Sequence, residues 1–152
     1  MDIGSNNSYP SDELSNFAAH DFVVDGVECS SMEGFLQSLK CSDPEKQKEI
    51  CKLAGFAAKV VGLQYNDWKK RQKLYWKGMI YPRASTEYQL LLDKAYIALY
   101  KNEKFRKALL ATGDEMLTHS VGYTKPTGTV LTSQEFCSRL TYLREKAKKE
   151  QK

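Results

Sequence analysis

Ser30-Ser31-Met32-Glu33-Gly34-Phe35-Leu36-Gln37-Ser38-Leu39-Lys40 decides how the chain is read. Met32, Phe35, Leu36 and Leu39 fall at i, i+3, i+4 and i+7, the spacing that puts apolar side chains on one face of a helix. Ser30 stands three residues before Glu33, a capping-box spacing, so the periodicity predicts an amphipathic helix over about 31–41. Glu33, Gln37 and Lys40 then lie in one row at the edge of the apolar stripe, a carboxylate, an amide and an ammonium placed where a row can line a cleft. The cap and the helix dipole account for the same Glu33 and Lys40 without any cleft.

Upstream, Phe22-Val23-Val24 and Val27-Glu28-Cys29 flank Asp25-Gly26, a dipeptide suited to a two-residue turn, and a short N-terminal β-hairpin is expected. Downstream, Asp43-Pro44 opens a helix with an inner stripe of Ile50, Leu53, Ala54, Ala57 and Val61, which Gly55 bends or splits. From 62 to 85 neither period is sustained, and irregular structure or short helical turns are expected. Ser85 caps a strong helix to about residue 101, and Phe105, Ala108 and Leu109 continue it after Asn102. Thr112-Gly113-Asp114 ends that run, and 116–121 alternates weakly like a strand. Thr132 with Glu135 repeats the capping-box spacing ahead of Phe136, Leu140, Leu143 and Ala147, a C-terminal helix. The fold class expected is α+β, a mainly helical single domain of 12–147, between a flexible N-terminal lead of 1–11 and a frayed basic tail of 148–152.

Composition bounds the function. The 152 residues, 41% hydrophobic and 28% charged, suit one globular domain. The 23 basic and 19 acidic residues leave +4, too balanced for a dedicated DNA binder. With no long apolar run and a mean hydropathy of -0.55, no membrane partner is expected. Met1 to Ser11 lacks the basic start and apolar centre of a signal peptide, which makes the cytoplasm the expected compartment. Cys29, Cys41, Cys51 and Cys137 show no C-x-x-C spacing and read as reduced thiols; His20 and His119 stand far apart, so neither a metal nor a cofactor is expected. Phosphate-loop and nucleophile-elbow motifs are absent. Phe17, Trp68, Tyr75 and Trp76 lie outside the periodic helices, where aromatics either fill a core or stack on a base. His119 is the titratable candidate near neutral pH.

The order of segments carries a resemblance. Leu14-Ser15-Asn16-Phe17, a hairpin, Ser31 to Lys40 as S-x-E-x-x-x-Q-x-x-K, Trp76, and Leu109-Leu110-Ala111-Thr112-Gly113 together resemble the NADAR family from about residue 12 to 145. The resemblance implies N-glycosidase chemistry on a phosphoribosyl or ADP-ribosyl substrate, as in riboflavin-pathway intermediates or ADP-ribosylated guanine. Glu33 matches the family's catalytic carboxylate, Asn16 the polar member of the first motif, and Phe17 and Trp76 aromatics near the substrate. Where relatives carry Trp-Gly-x-Gly, this chain has His119-Ser120-Val121-Gly122-Tyr123, so His119 is the candidate replacement acid or base and Gly122 the retained glycine. Gln37, Lys40 and Trp68 complete the expected substrate contacts. The expected partner is a nucleotide-like small molecule or an ADP-ribosylated base, with nucleic acid only as carrier of that base. A non-catalytic module binding ADP-ribose or a related nucleotide is the alternative.

Overall fold

The computed structural model describes residues 1–151. Two hairpins and a set of mostly short helices share one core. The first hairpin pairs β1 (Phe22–Val24) with β2 (Val27–Cys29), with Val24 opposite Val27. Asp25 and Gly26 both take positive φ in the turn, as the dipeptide predicts. Phe22, Val24, Val27 and Cys29 face inward, while Val23 and Glu28 face out.

Helix α1 (Ser11–Leu14) precedes this hairpin and α2 (Met32–Ser38) follows it. The cap of α2 differs from the expected one. Ser31, not Ser30, is the N-cap, and its hydroxyl accepts from the Gly34 amide at 3.0 Å. Glu33 is therefore not the capping acid. The Ser31 hydroxyl also donates to Leu53 O at 2.8 Å, which pins the start of α2 to a distant loop. Such a cap contributes about 1 kcal/mol.

The Asp43-Pro44 helix is split, into α3 (Pro44–Cys51) and α4 (Gly55–Gly62), and Gly55 starts the second piece at φ +57°. Gly34 lets α2 approach this pair. A Cβ there would lie 2.6 Å from Leu53 O and 2.9 Å from Ile50 O, so any side chain would push α2 off α3.

Residues 62–85 hold more order than their pattern suggests: α5 (Asp67–Arg71), then a second hairpin of β3 (Lys73–Trp76) and β4 (Met79–Pro82). Its turn is Lys77-Gly78, with Lys77 at φ +48°, a conformation that lysine rarely signals in a sequence. Gln47, buried on α3, joins this hairpin to α2. Its amide donates to Ser38 O at 3.0 Å and Tyr75 O at 2.7 Å and its carbonyl accepts from Lys77 N, while Tyr75 N bonds Leu39 O at 2.8 Å. The last carbonyls of α2 are satisfied in this way, and the chain leaves toward Lys40 in a set direction.

Helices α6 (Thr86–Tyr100), α7 (Glu103–Ala111) and α8 (Ser133–Glu150) form the rest, capped by Ser85, Asn102 and the Thr132–Glu135 capping box. Phe35, Trp76, Leu92, Tyr96, Phe105, Phe136 and Leu140 fill the centre, each contributing on the order of 1.5–3 kcal/mol by burial. The architecture is α+β, mainly helical, in a single domain.

Both ends differ from expectation. The lead of 1–11 is docked rather than flexible: Ile3 is fully buried, Ile3 N donates to Thr118 O at 2.8 Å, and Thr118 N to Met1 O at 2.9 Å. Asp2 and Thr118 form a parallel bridge, and this is all that becomes of the strand expected over 116–121. In the tail of 148–152 the helix continues to Glu150, with Lys148 paired to Asp114; Lys152 lies outside the described residues. All four cysteines are free thiols. No described helix is long and apolar enough to cross a membrane.

Candidate functional site

Glu33 projects from the first turn of α2, and its backbone amide donates to Asn16 O at 2.9 Å. That bond ties the Asn16-Phe17 segment to the start of α2, at the backbone of Glu33. Asn16 is fixed from below: its side-chain oxygen accepts from the hydroxyl of buried Tyr96 on α6 at 2.7 Å. One helical turn on, Gln37 Nε2 donates to Glu33 Oε2 at 2.6 Å. Gln37 is itself buried, and its carbonyl oxygen has no partner and presses on Gly62 of α4, where any Cβ would overlap it.

Burial pushes the Glu33 carboxyl above the usual glutamate range. The Gln37 hydrogen bond and the charges of Lys40, Lys59 and His119 act in the opposite sense. Burial likewise lowers the Lys40 ammonium, which Glu33 supports and the like charges of Lys69 and Lys59 oppose. Glu33 and Lys40 therefore feel each other without forming an ion pair.

His119 enters this field from the far end of the chain. Its Nδ1–H donates to Ile3 O at 2.7 Å, because a carbonyl can only accept. In the neutral ring Nε2 is then the bare nitrogen, free to take a proton. The ring stands edge-on to Phe136 at 5.0 Å. Gly122 makes room for it: a Cβ there would collide with the His119 ring and the Ser133 hydroxyl. The role the geometry gives Gly122 is steric.

The aromatics divide differently from expectation. Trp76 is core, 2% exposed, edge-on to Phe35 at 4.9 Å with its N–H donating to Asp25 Oδ2 at 2.9 Å. The second hairpin turns it inward, so it is not a surface for substrate. Trp68 is equally buried but forms part of the wall of a cavity of about 660 Å³ that also takes in Lys40, Lys46, Tyr65, Arg71 and Tyr75. Phe17 is half-buried beside the start of α4.

Lys40 lines that cavity and Glu33 does not. Lys40 is the hinge between the carboxyl and the cavity. Among the described residues no group of three or more His, Cys, Asp or Glu is placed to hold a metal ion.

Pattern reading missed Lys59 and Tyr96. Lys59 carried a signal, being the lone charge in the apolar run Gly55-Phe56-Ala57-Ala58-Lys59-Val60-Val61-Gly62. Tyr96 carried none, since it falls on the inner face of α6 like any core residue.

Comparison with known proteins agrees with this architecture. The E. coli protein YbiA, solved by NMR, matches with a TM-score of 0.63 at 20% identity, over 99% of this chain and 86% of YbiA. YbiA is a NADAR-family protein, and the fold is NADAR-like, as the ordered motifs imply. A protein of Enterobacteria phage T4, described as an uncharacterized 17.1 kDa protein in the Gp30-rIII intergenic region, is 40% identical over 148 residues, 95% of this chain and 97% of that relative. The model of the bacteriophage protein GP30.3 family matches residues 8–145, and the chain belongs to that family.

Proposed function

We propose that the chain is an N-glycosidase that hydrolyses the bond between a ribose and a nitrogen in a phosphoribosyl or ADP-ribosyl substrate. The observation that carries this reading is the Glu33 carboxyl: half-buried, raised by that burial, oriented by Gln37, and in no ion pair. A carboxyl raised in this way suits proton transfer, and its ionised form stabilises positive charge developing on the sugar.

In the step proposed, water adds to the anomeric carbon and gives its proton to Glu33. The carbon–nitrogen bond breaks with its electron pair on the leaving base, which takes up a proton. His119, once it has taken a proton from solvent at Nε2, is the side chain that hands that proton over, and the proton left on Glu33 returns to solvent. Asn16, Gln37 and half-buried Phe17 border the carboxyl, and Lys40 faces the phosphate end. Nucleic acid enters only as carrier of a modified base.

A nucleotide-binding module without turnover is the second reading, favoured because the cavity is lined by Lys40 and not by Glu33. Incubation with ADP-ribose conjugates and phosphoribosyl pyrimidines, read by mass spectrometry for released base, separates the two. Release that falls by roughly two orders of magnitude or more in Glu33→Gln, with binding kept, supports the hydrolase. Nucleotide binding without release from any conjugate supports the module.

A further inference from the structure

The cavity beside Lys40 has a chemical character of its own. Lys40, Lys46 and Arg71 reach it from three different segments: the exit of α2, α3 and α5. None of the three has an ion-pair partner among the described residues. Two carboxylates, Asp43 and Asp67, also reach the wall and offset part of that charge, leaving three cations against two anions, although neither forms an ion pair with the three. Asp43 is occupied at the start of α3, where its Oδ1 accepts from Glu45 N at 3.0 Å, and Asp67 lies in the first turn of α5. Lys69 adds a further positive charge close enough to be felt at Lys40.

Unpaired cations gathered around a concavity repel one another, and where they outnumber the carboxylates beside them an anion relieves the excess.

We propose that this cavity is an anion subsite, taking a phosphoryl group of the ligand through Lys40, Lys46 and Arg71. Glu33 lies in the first turn of α2 and Lys40 beyond its last residue, Ser38, so the group held here is distal to the sugar: the next phosphoryl along a diphosphate or along a strand. In naming that ligand the inference rests on the nucleotide-like substrate proposed above; the binding itself does not depend on turnover.

The test is calorimetric titration of the full chain with inorganic pyrophosphate, ADP and a short single-stranded oligonucleotide. Pyrophosphate is expected to bind, and the double variant Lys46→Ala/Arg71→Ala, at two exposed positions, to weaken it at least about tenfold, the scale of losing charge-assisted bonds. The control Lys104→Ala/Lys107→Ala on α7 is expected to leave binding unchanged. ADP competing with pyrophosphate identifies a diphosphate source, and the oligonucleotide competing instead identifies a strand. Failure of all three probes to bind, or binding indifferent to Lys46→Ala/Arg71→Ala, overturns the subsite. The two proposals fail separately: pyrophosphate binding lost in the double variant, in a protein that releases no base, keeps the subsite and removes the hydrolase. Glu33-dependent turnover of a diphosphate conjugate with an unchanged KM in the double variant does the reverse.

Discussion

Gln37 Nε2 donates to Glu33 Oε2 at 2.6 Å across one turn of α2, while the other end of the same amide, its carbonyl oxygen, is buried without a donor. One residue thus orients the carboxyl and carries an unmet cost. In Gln37→Leu both the bond and the orphaned oxygen disappear, so stability is expected to stay within about 1 kcal/mol of the parent. The lost bond is one that lowers the Glu33 pKa. The acid limb of the kcat/KM profile is therefore expected to move to higher pH, a shift that a merely structural role would not produce.

Glu33→Gln tests the carboxyl through stability as well as turnover. The folded pKa is raised by burial, so the fold favours the protonated form. That contribution is complete below the ordinary glutamate range and is lost as pH rises through the folded value. A neutral amide escapes the loss. Thermal melts are expected to show the variant more stable than the parent at pH 7, with the difference closing toward pH 4; a variant less stable at pH 7 would contradict this account of the site.

Glu135 runs in the opposite direction. Burial pushes its carboxyl up, but Arg83 at 2.7 and 3.1 Å, the Thr132 amide at 2.7 Å and Gln89 at 2.6 Å more than reverse this and hold it at about 2. A depressed carboxyl stabilises above its unfolded value and loses that contribution as pH falls from about 4.5 toward about 2. With Arg83 2% exposed, the contribution is on the order of 3 kcal/mol. Glu135→Gln is expected to lose roughly that much at pH 7, by urea denaturation, and to flatten the acid limb of stability below pH 5.

The docked N-terminus holds the His119 segment. Asp2 accepts from the Ser120 amide at 2.8 Å and the Ser120 hydroxyl at 2.6 Å, and these bonds lower its pKa. Asp2→Ala is expected to speed amide hydrogen exchange at Thr118 and Ser120 while leaving α6 and α8 protected. Equal acceleration throughout the chain would mean that the lead supports the whole fold rather than this segment.

Legibility tracked how local the cause was. The first hairpin turn at Asp25-Gly26, the helices opened by Asp43-Pro44, Ser85 and Thr132, and the break at Gly55 follow from dihedral preference, capping and hydrophobic period, which act within a few residues. The Lys77-Gly78 hairpin escaped because its lysine is held at positive φ by pairing and packing across β3 and β4. Ser31 displaced Ser30 as the cap because Leu53, far away in sequence, offers a carbonyl to its hydroxyl.

The same division runs through the site. By itself the sequence determined the helical row of Glu33, Gln37 and Lys40, since a period of 3.6 residues sets which side chains share a face, and it placed Asn16 and Phe17 ahead of that helix in an order that resembles NADAR. Tertiary structure decided the rest. It buried Trp76 in the core, set Trp68 in the wall of a cavity with Lys40, brought Lys59 from α4 and His119 from the other end of the chain into the field of Glu33, and fixed the lead against Thr118. Burial and electrostatics act through space, and a side chain's solvent, charges and acceptors come from segments that its own neighbours in sequence do not specify.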